Sequence, residues 1–255
     1  TAVSDGMGNV VEAVYGTLLD PDVYEQGPID NSGDLISFRG PKYVVAKLKK
    51  NNGRSDYWST SYFYRGYKYH KHGFGVLGFE EVIVEDTDSN ETVSTTYSQA
   101  YQELSHGLPL TETQNIETSA LKRESIKDYE WSVQILSGSI SSGNIRFSVR
   151  RHKESEAIYG RDSATAPVQD LTTRIKTWEN YDGYGNPRKI SNRVIDEFGE
   201  HISVTVNEYV NDSSSWSLGL VTRTEVTNTY SPSASPKNSI QNPTSGVKVV
   251  SYSYD

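Results

Sequence analysis

Two stretches place carboxylates close together, Glu80-Glu81 and Glu154-x-Glu156. Paired acids are the equipment of glycoside hydrolysis, one protonating the leaving oxygen while the other serves as nucleophile or base. Their working separation is spatial, so the sequence leaves that chemistry open. Solvated charges at strand edges explain the same residues, because edge charges discourage strand-to-strand aggregation. His70 and His72 are two apart, so on a strand they share a face and could both ligate a metal, which then needs a third ligand. His106, His152 and His201 stand isolated, and solvated histidines at a strand end account for the pair. Asp86, Asp88 and Asn90 mimic the start of a calcium loop. That loop wants Gly at its sixth position and Glu at its twelfth, where this chain has Glu91 and Tyr97. A polar hairpin turn fits instead.

Gly73-Phe74-Gly75-Val76-Leu77-Gly78 has the spacing of a dinucleotide-binding fingerprint. The fingerprint needs a buried strand before it and a helix after it. Here Tyr67-Lys68-Tyr69-His70 precedes and the strand-like Val82-Ile83-Val84 follows, so the glycines are read as a turn. No Gly-x-Ser-x-Gly elbow occurs, the serines of 138–143 failing the spacing. Cysteine is absent, which removes disulfides, thiolate catalysis and cysteine metal sites. Tyr57-Trp58, Tyr62-Phe63-Tyr64 and Tyr67-x-Tyr69 could form a sugar platform through Trp58 and Tyr64, or cross-strand aromatic ladders. Asn90-Glu91-Thr92 and Asn211-Asp212-Ser213 fit glycosylation sequons. The expectation is a chain that is not an enzyme, with no catalytic, cofactor-binding or metal-ligating residue and no cofactor.

The elements that would position these residues are strands. Ile145, Phe147 and Val149 alternate with Arg146, Ser148 and Arg150; Ile202, Val204 and Val206 alternate with Ser203, Thr205 and Asn207. Val44, Ala46 and Leu48 alternate with Val45, Lys47 and Lys49. Each set predicts a sheet with one packed and one wetter face. Turn chemistry separates the runs at Asn51-Asn52-Gly53-Arg54, at 86–90, at 137–143 and at 211–215, the spacing of an antiparallel meander. The best helical stretch, Ser119 to Trp131, lacks a clean amphipathic stripe. Residues 20–34 and 231–246 read as loops, the second as the preferred proteolysis site.

Composition bounds the class. The chain has 255 residues, 18 of them Tyr, and a formal charge of -8. Phosphate contacts need concentrated positive charge, and the basic clusters Lys47-Lys49-Lys50 and Arg150-Arg151 are short, so nucleic acid is not an expected partner. No apolar run reaches the roughly 18 residues of a membrane-spanning helix. The chain opens Thr1-Ala2-Val3-Ser4 without an initiator Met or a leader, and is read as a piece of something longer.

Asn180-Tyr181-Asp182-Gly183-Tyr184-Gly185-Asn186-Pro187 is the most specific string. It resembles the Tyr-Asp-x-x-Gly-Asn core of the YD repeat found in Rhs-type toxins and in the B and C subunits of insecticidal toxin complexes. Ser4-Asp5-Gly6-Met7-Gly8-Asn9 keeps the same spacing, Asp196-Glu197-Phe198-Gly199-Glu200 keeps Asp and Gly, and Tyr252-Ser253-Tyr254-Asp255 resembles a further opening. Tyr67 to Phe79 followed by Thr96-Tyr97-Ser98-Gln99, and Asn211 to Thr227 with Trp216-Ser217-Leu218-Gly219 and Thr222-Arg223-Thr224, are similar to segments of the toxin-complex B subunits. Repeat spacing is irregular, with 14 residues from Asp182 to Asp196 and no comparable string from 10 to 180. The resemblance implies a strand-built hollow shell around a toxic segment carried elsewhere in the parent chain. The family's self-cleaving aspartyl site has no match here, so no residue is carried over from it.

The expected fold is all-β, an antiparallel meander forming a curved, extended sheet, as a shell segment would be. Residues 1–255 are read as one continuous sheet, with a loose division near 110–120. The expected function is structural, in a secreted or cell-surface bacterial protein. A surface adhesin or carbohydrate-binding β module is the alternative. Expected partners are the rest of the parent chain and other toxin-complex subunits, with weak self-association through strand edges.

Overall fold

A computed structural model of the chain describes residues 2–4, 9–29, 33–51, 57–118, 121–140, 144–161, 169–233 and 244–254. Among them the regular structure is β-strand, with no α-helix. Contacts divide the chain into two compact units. The first comprises 1–126, 138–145 and 160–168; the second comprises 127–137, 146–159 and 169–255.

The first unit carries β1 (Ala2–Ser4), β2 (Val10–Thr17), β3 (Tyr24–Glu25), β4 (Leu35–Ser37), β5 (Tyr43–Asn51), β6 (Tyr57–Arg65), β7 (Lys68–His70), β8 (Gly75–Gly78), β9 (Glu81–Asp86), β10 (Glu91–Tyr97) and β11 (Pro109–Glu117). The hydrogen-bonded path runs β1-β2-β5-β6-β9-β10-β11, with β3 parallel to β6 and β4-β7-β8 forming a small sheet of their own. The alternation of Val44, Ala46 and Leu48 lies on β5, paired to β2 across a bulge between Val14 and Tyr15. The polar turn expected at 86–90 is present, joining β9 to β10 with Asp86 opposite Glu91.

A small core sits here. Leu18, Tyr24 and Tyr67 pack together with Phe38, Val44, Tyr64 and Phe79 around them. Tyr64 and Tyr67 lie 4.7 and 4.9 Å from the Phe79 ring. Their offset, tilted approach suits the ring quadrupoles. The Tyr24 hydroxyl donates to the Phe38 carbonyl at 2.8 Å and accepts from the Tyr67 amide at 3.1 Å, so its buried polar end is satisfied. The stretch 20–34, which reads as loop, therefore supplies core: Val23 and Tyr24 are buried and Tyr24 pairs with Tyr64. A two-residue strand is too short to print a period on the sequence.

β12 (Lys122–Ser139) and β13 (Asn144–Arg161) contribute to both units, and β14 (Gln169–Tyr181), β15 (Pro187–Asp196), β16 (Gly199–Asp212), β17 (Ser217–Pro232) and β18 (Thr244–Ser251) belong to the second. These strands are joined in sequence order and pair antiparallel from β14 to β18. Two sequence expectations change, and one is met. Of the best helical candidate, Ser119 to Trp131, residues 119–120 lie outside the described residues and Lys122 onward is strand, as its missing stripe suggested. The turn read at 137–143 is shorter, because β12 runs on to Ser139. The stretch 231–246 shrinks too, with β17 reaching Pro232 and β18 beginning at Thr244. Asn52 to Arg54, Asp5 to Gly8 and the middle of the 231–246 stretch lie outside the described residues.

The alternations at 145–150 and 202–207 form strands but not a packed face. Phe147 remains 39% exposed and Val206 42%. No described apolar side chain of the second unit is fully buried. Cross-strand pairs along a single layer hold it instead. Lys189 with Glu179 and Arg223 with Glu208 and Glu225 are ion pairs between or along neighbouring strands, as is Arg193 with Glu200.

Candidate functional site

A densely hydrogen-bonded polar constellation occupies the turn between β14 and β15. Asp182 is 8% exposed. One carboxylate oxygen accepts from the amides of Tyr184 and Asn186, each at 2.9 Å. The other accepts from the side-chain amides of Asn186 and Asn211, each at 3.0 Å. The Asp182 amide donates to the Asn186 carbonyl at 3.0 Å, and Gly185 takes φ 92°, a conformation that side chains resist. Burial pushes the carboxyl up, but donors from Asn186, Asn211 and Tyr184 outweigh it and hold it at about 2. An acid fixed in its ionised form by four donors cannot deliver a proton near neutrality. Its chemistry is to hold backbone.

Asn211 extends this knot. Its side-chain oxygen accepts from the Gly219 amide at 2.7 Å, so one residue at the end of β16 ties the β14–β15 turn to the β16–β17 hairpin. The Tyr181 hydroxyl donates to the Arg151 carbonyl, anchoring β14 to β13. The Tyr209 hydroxyl donates to the Pro187 carbonyl at 3.1 Å. Tyrosine, aspartate and asparagine around the quoted string thus act as strand fasteners. Asn211, read as a sequon, has both ends of its amide engaged.

The same local device recurs at other strand ends. Asp196 accepts from the amides of Phe198 and Gly199, Asp86 from Asp88 and Ser89, and Asp20 from Asp22. Asp212 accepts from the Ser214 hydroxyl and amide and the Ser215 hydroxyl, which hold its carboxyl at about 2. Each is an Asx turn, in which the side chain imitates the backbone carbonyl that would close the reversal.

The residues with reactive potential are distributed otherwise. Glu81 is held by Arg65 at 2.7 Å and by the Ser94 hydroxyl. Glu154 pairs with Arg151 at 2.8 Å, and Glu156 with Arg174 at 3.0 Å and Lys127 at 3.9 Å. Arg151 also lies 5.2 to 5.4 Å from the ring centroids of Tyr129, Trp131 and Trp178, a guanidinium filling an aromatic stripe. Of the aromatics considered for sugar binding, Trp58 is exposed on β6. Tyr64 packs in the core and donates to the Val45 carbonyl at 2.8 Å. The Gly73–Gly78 string forms a turn and β8, followed by β9 where a dinucleotide site would need a helix.

His70 is buried between the rings of Tyr101, at 4.2 Å, and Phe74, at 5.2 Å. His72 sits in the following turn and donates its amide to His70 Nδ1 at 3.1 Å, so the two rings do not share a strand face. His106, isolated in sequence, reaches the same cluster through Phe74. Among the described residues no three His, Cys, Asp or Glu side chains are grouped to hold an ion. From sequence, Asn211 was noted only as a sequon and as the start of a quoted string, and Gln99 only as part of a quoted string. Gln99 donates to the carbonyls of Gly66 at 2.6 Å and Gly78 at 3.1 Å, and only the fold brings those turns within its reach.

No protein-family model matches the sequence, and no curated protein matches it. Solved structures do. The chain is similar to the TcdB2-TccC3 crystal structure at TM-score 0.65 and 9% identity, covering 91% of this chain and 15% of that one. For TcdB2-TccC3-Cdc42 the values are 0.66 and 10%, with 89% and 15% covered. For the Tc holotoxin pore of Photorhabdus luminescens they are 0.63 and 9%, with 91% and 15% covered. The chain therefore spans about 15% of the length of the toxin-complex chains it matches. At such identity the likeness is one of fold: the strand path seen here is also found within toxin-complex chains.

Proposed function

We propose that the chain is a structural wall segment of an exported bacterial toxin-related protein of YD-repeat (Rhs) type. It has no catalytic role of its own, and it helps to enclose or present a payload carried elsewhere in the parent chain. The observation that carries this reading is the fold likeness to toxin-complex chains over 91% of the residues. The polar chemistry is consistent with it. The YD-like string Tyr181-Asp182 is engaged in fastening strands, and its acid is held ionised. Its partners are the remainder of the parent chain and other toxin-complex subunits, and its site of action is outside the producing cell.

The test uses the full parental chain. Limited proteolysis should leave a non-homologous segment of the parent intact while the wall is folded. Asp182→Ala combined with Asn211→Ala should shorten the lifetime of that segment severalfold. A parent with no protected segment at all would sink the reading. A specific glycan bound by the parent and lost on Trp58→Ala would favour an adhesin.

A further inference from the structure

In the second unit, strand register draws a line of polar side chains straight across the sheet. Lys176 lies opposite Asn192, Asn192 opposite Ser203, Ser203 opposite Asn228 and Asn228 opposite Gly246. Residues paired in this way share one face of the sheet. We propose that this lane, running across β14 to β18, binds an extended anionic polysaccharide with its sugar rings in step with the strands. The inference does not depend on the proposed function.

The lane opens into a cavity at each end. At the β13–β15 end, Arg174, Lys176 and Asn192 line about 160 Å³ together with Glu154 and Glu156. At the other end, His201, Asn228 and Tyr230 line about 300 Å³, and Gly246 adds no side chain to fill it. The Tyr230 hydroxyl donates to the Phe198 carbonyl at 3.0 Å, which fixes its ring. A fixed apolar ring beside free polar groups is what the face of a pyranose needs.

The hydrogen-bonding capacity of the lane is unspent. Asn186, Asn207, Asn211, Gln99 and Gln114 use their side-chain amides within the protein. Among the described residues, the side chains of Asn192, Ser203 and Asn228 have no such partner. Each amide offers two donors and an acceptor, the groups that neighbouring sugar hydroxyls engage.

Charge and spacing select the ligand. The chain carries a formal charge of -8, yet the lane and the paired rows on either side of it hold Arg174, Lys176 and Lys248 and no acid. Glu154 and Glu156, at the β13 end, are occupied by Arg151 and by Arg174 and Lys127. Lys176, resting 5.0 Å from the Trp178 ring centroid, and the exposed Lys248 are left for a ligand's anions. The lane advances by about 4.8 Å per strand, close to one pyranose of a β-linked chain, whereas an extended peptide repeats at about 3.3 Å and falls out of step.

The test is isothermal titration calorimetry of the whole chain with a hexasaccharide of β-linked mannuronate at low salt. Cellohexaose is the uncharged comparison and hexaglutamate the peptide one. Mannuronate should bind, and both comparison ligands should bind at least about tenfold more weakly. Asn192→Ala combined with Asn228→Ala should weaken mannuronate binding about tenfold. Lys176→Gln should weaken it severalfold and reduce its salt dependence. Thr227→Ala, on the opposite face of β17, and Trp58→Ala, in the first unit, should bind as the unaltered chain does. The proposal is overturned by absent mannuronate binding, by cellohexaose or hexaglutamate bound as tightly, or by undiminished binding in the folded double variant. If that variant fails to fold, undiminished binding by Lys176→Gln overturns it equally.

Discussion

Asp182 shows a single carboxylate fully engaged in holding a chain reversal. Its four donors all come from residues within the turn or from Asn211 on the neighbouring hairpin. Removing it strands those donors, so Asp182→Ala should lower the stability of the second unit by about 2 kcal/mol, read from urea unfolding. Because the folded carboxyl lies at about 2, below its ordinary 3.8, its contribution is complete above pH 4. It is lost as pH falls toward 2. Asp182→Asn should flatten that acid limb of the stability curve, and an unchanged limb would assign the acid response to other groups. Glycines in two successive turns, β14–β15 and β15–β16, differ sharply. A Cβ at Gly199 would sit 2.3 Å from the Ser231 carbonyl oxygen, at φ 150°, whereas one at Gly183 meets nothing within 4 Å. Gly199→Ala should cost about 2 kcal/mol or more, and Gly183→Ala should stay within about 0.5 kcal/mol. Equal effects on thermal unfolding would contradict the assignment.

Among the elements, the two ends of the strand path are unlike. β1 has three residues, and shortness itself discourages further pairing. β18 has eight, pairs with β17 without a register shift, and presents Val247 at 61% and Val249 at 49% exposure with Lys248 as its one charge. Long, flat apolar edges recruit other strands. Self-association of the isolated chain should therefore run through β18, and Val247→Lys should weaken it several-fold in sedimentation velocity. An identical association constant would place the contact elsewhere. The β12 strand carries a related lesson. Tyr129 and Trp131 are two apart and both meet Arg151, an arrangement a strand permits and a helix does not.

For the molecule as a whole, the two units are stabilised differently. Leu18 is fully buried within the core of the first unit, so Leu18→Ala should cost about 3 kcal/mol there. Val204, half-buried on the single layer of the second unit, should cost only about 1 kcal/mol when cut to Ala, since much of its surface is already wet. Segment-resolved hydrogen exchange of both variants checks the contrast, and equal losses would mean that the second unit owns a comparable core.

Several strands and the polar turns at 86–90 and 211–215 were legible in the sequence, because period-two alternation and turn chemistry are local: the residues that decide them lie within a few positions. The string around Tyr181-Asp182 stood out by its resemblance, and 86–90 could be read as a polar turn. Burial could not, since alternation says which side chains share a face but not whether anything covers it; Phe147 and Val206 alternate correctly and remain wet. Nor could the partners Asn211 and Gln99, the gathering of His70, Phe74, Tyr101 and His106, or the core role of Val23 and Tyr24. Those depend on segments that meet only when the sheet is built, and the tertiary structure alone decided them.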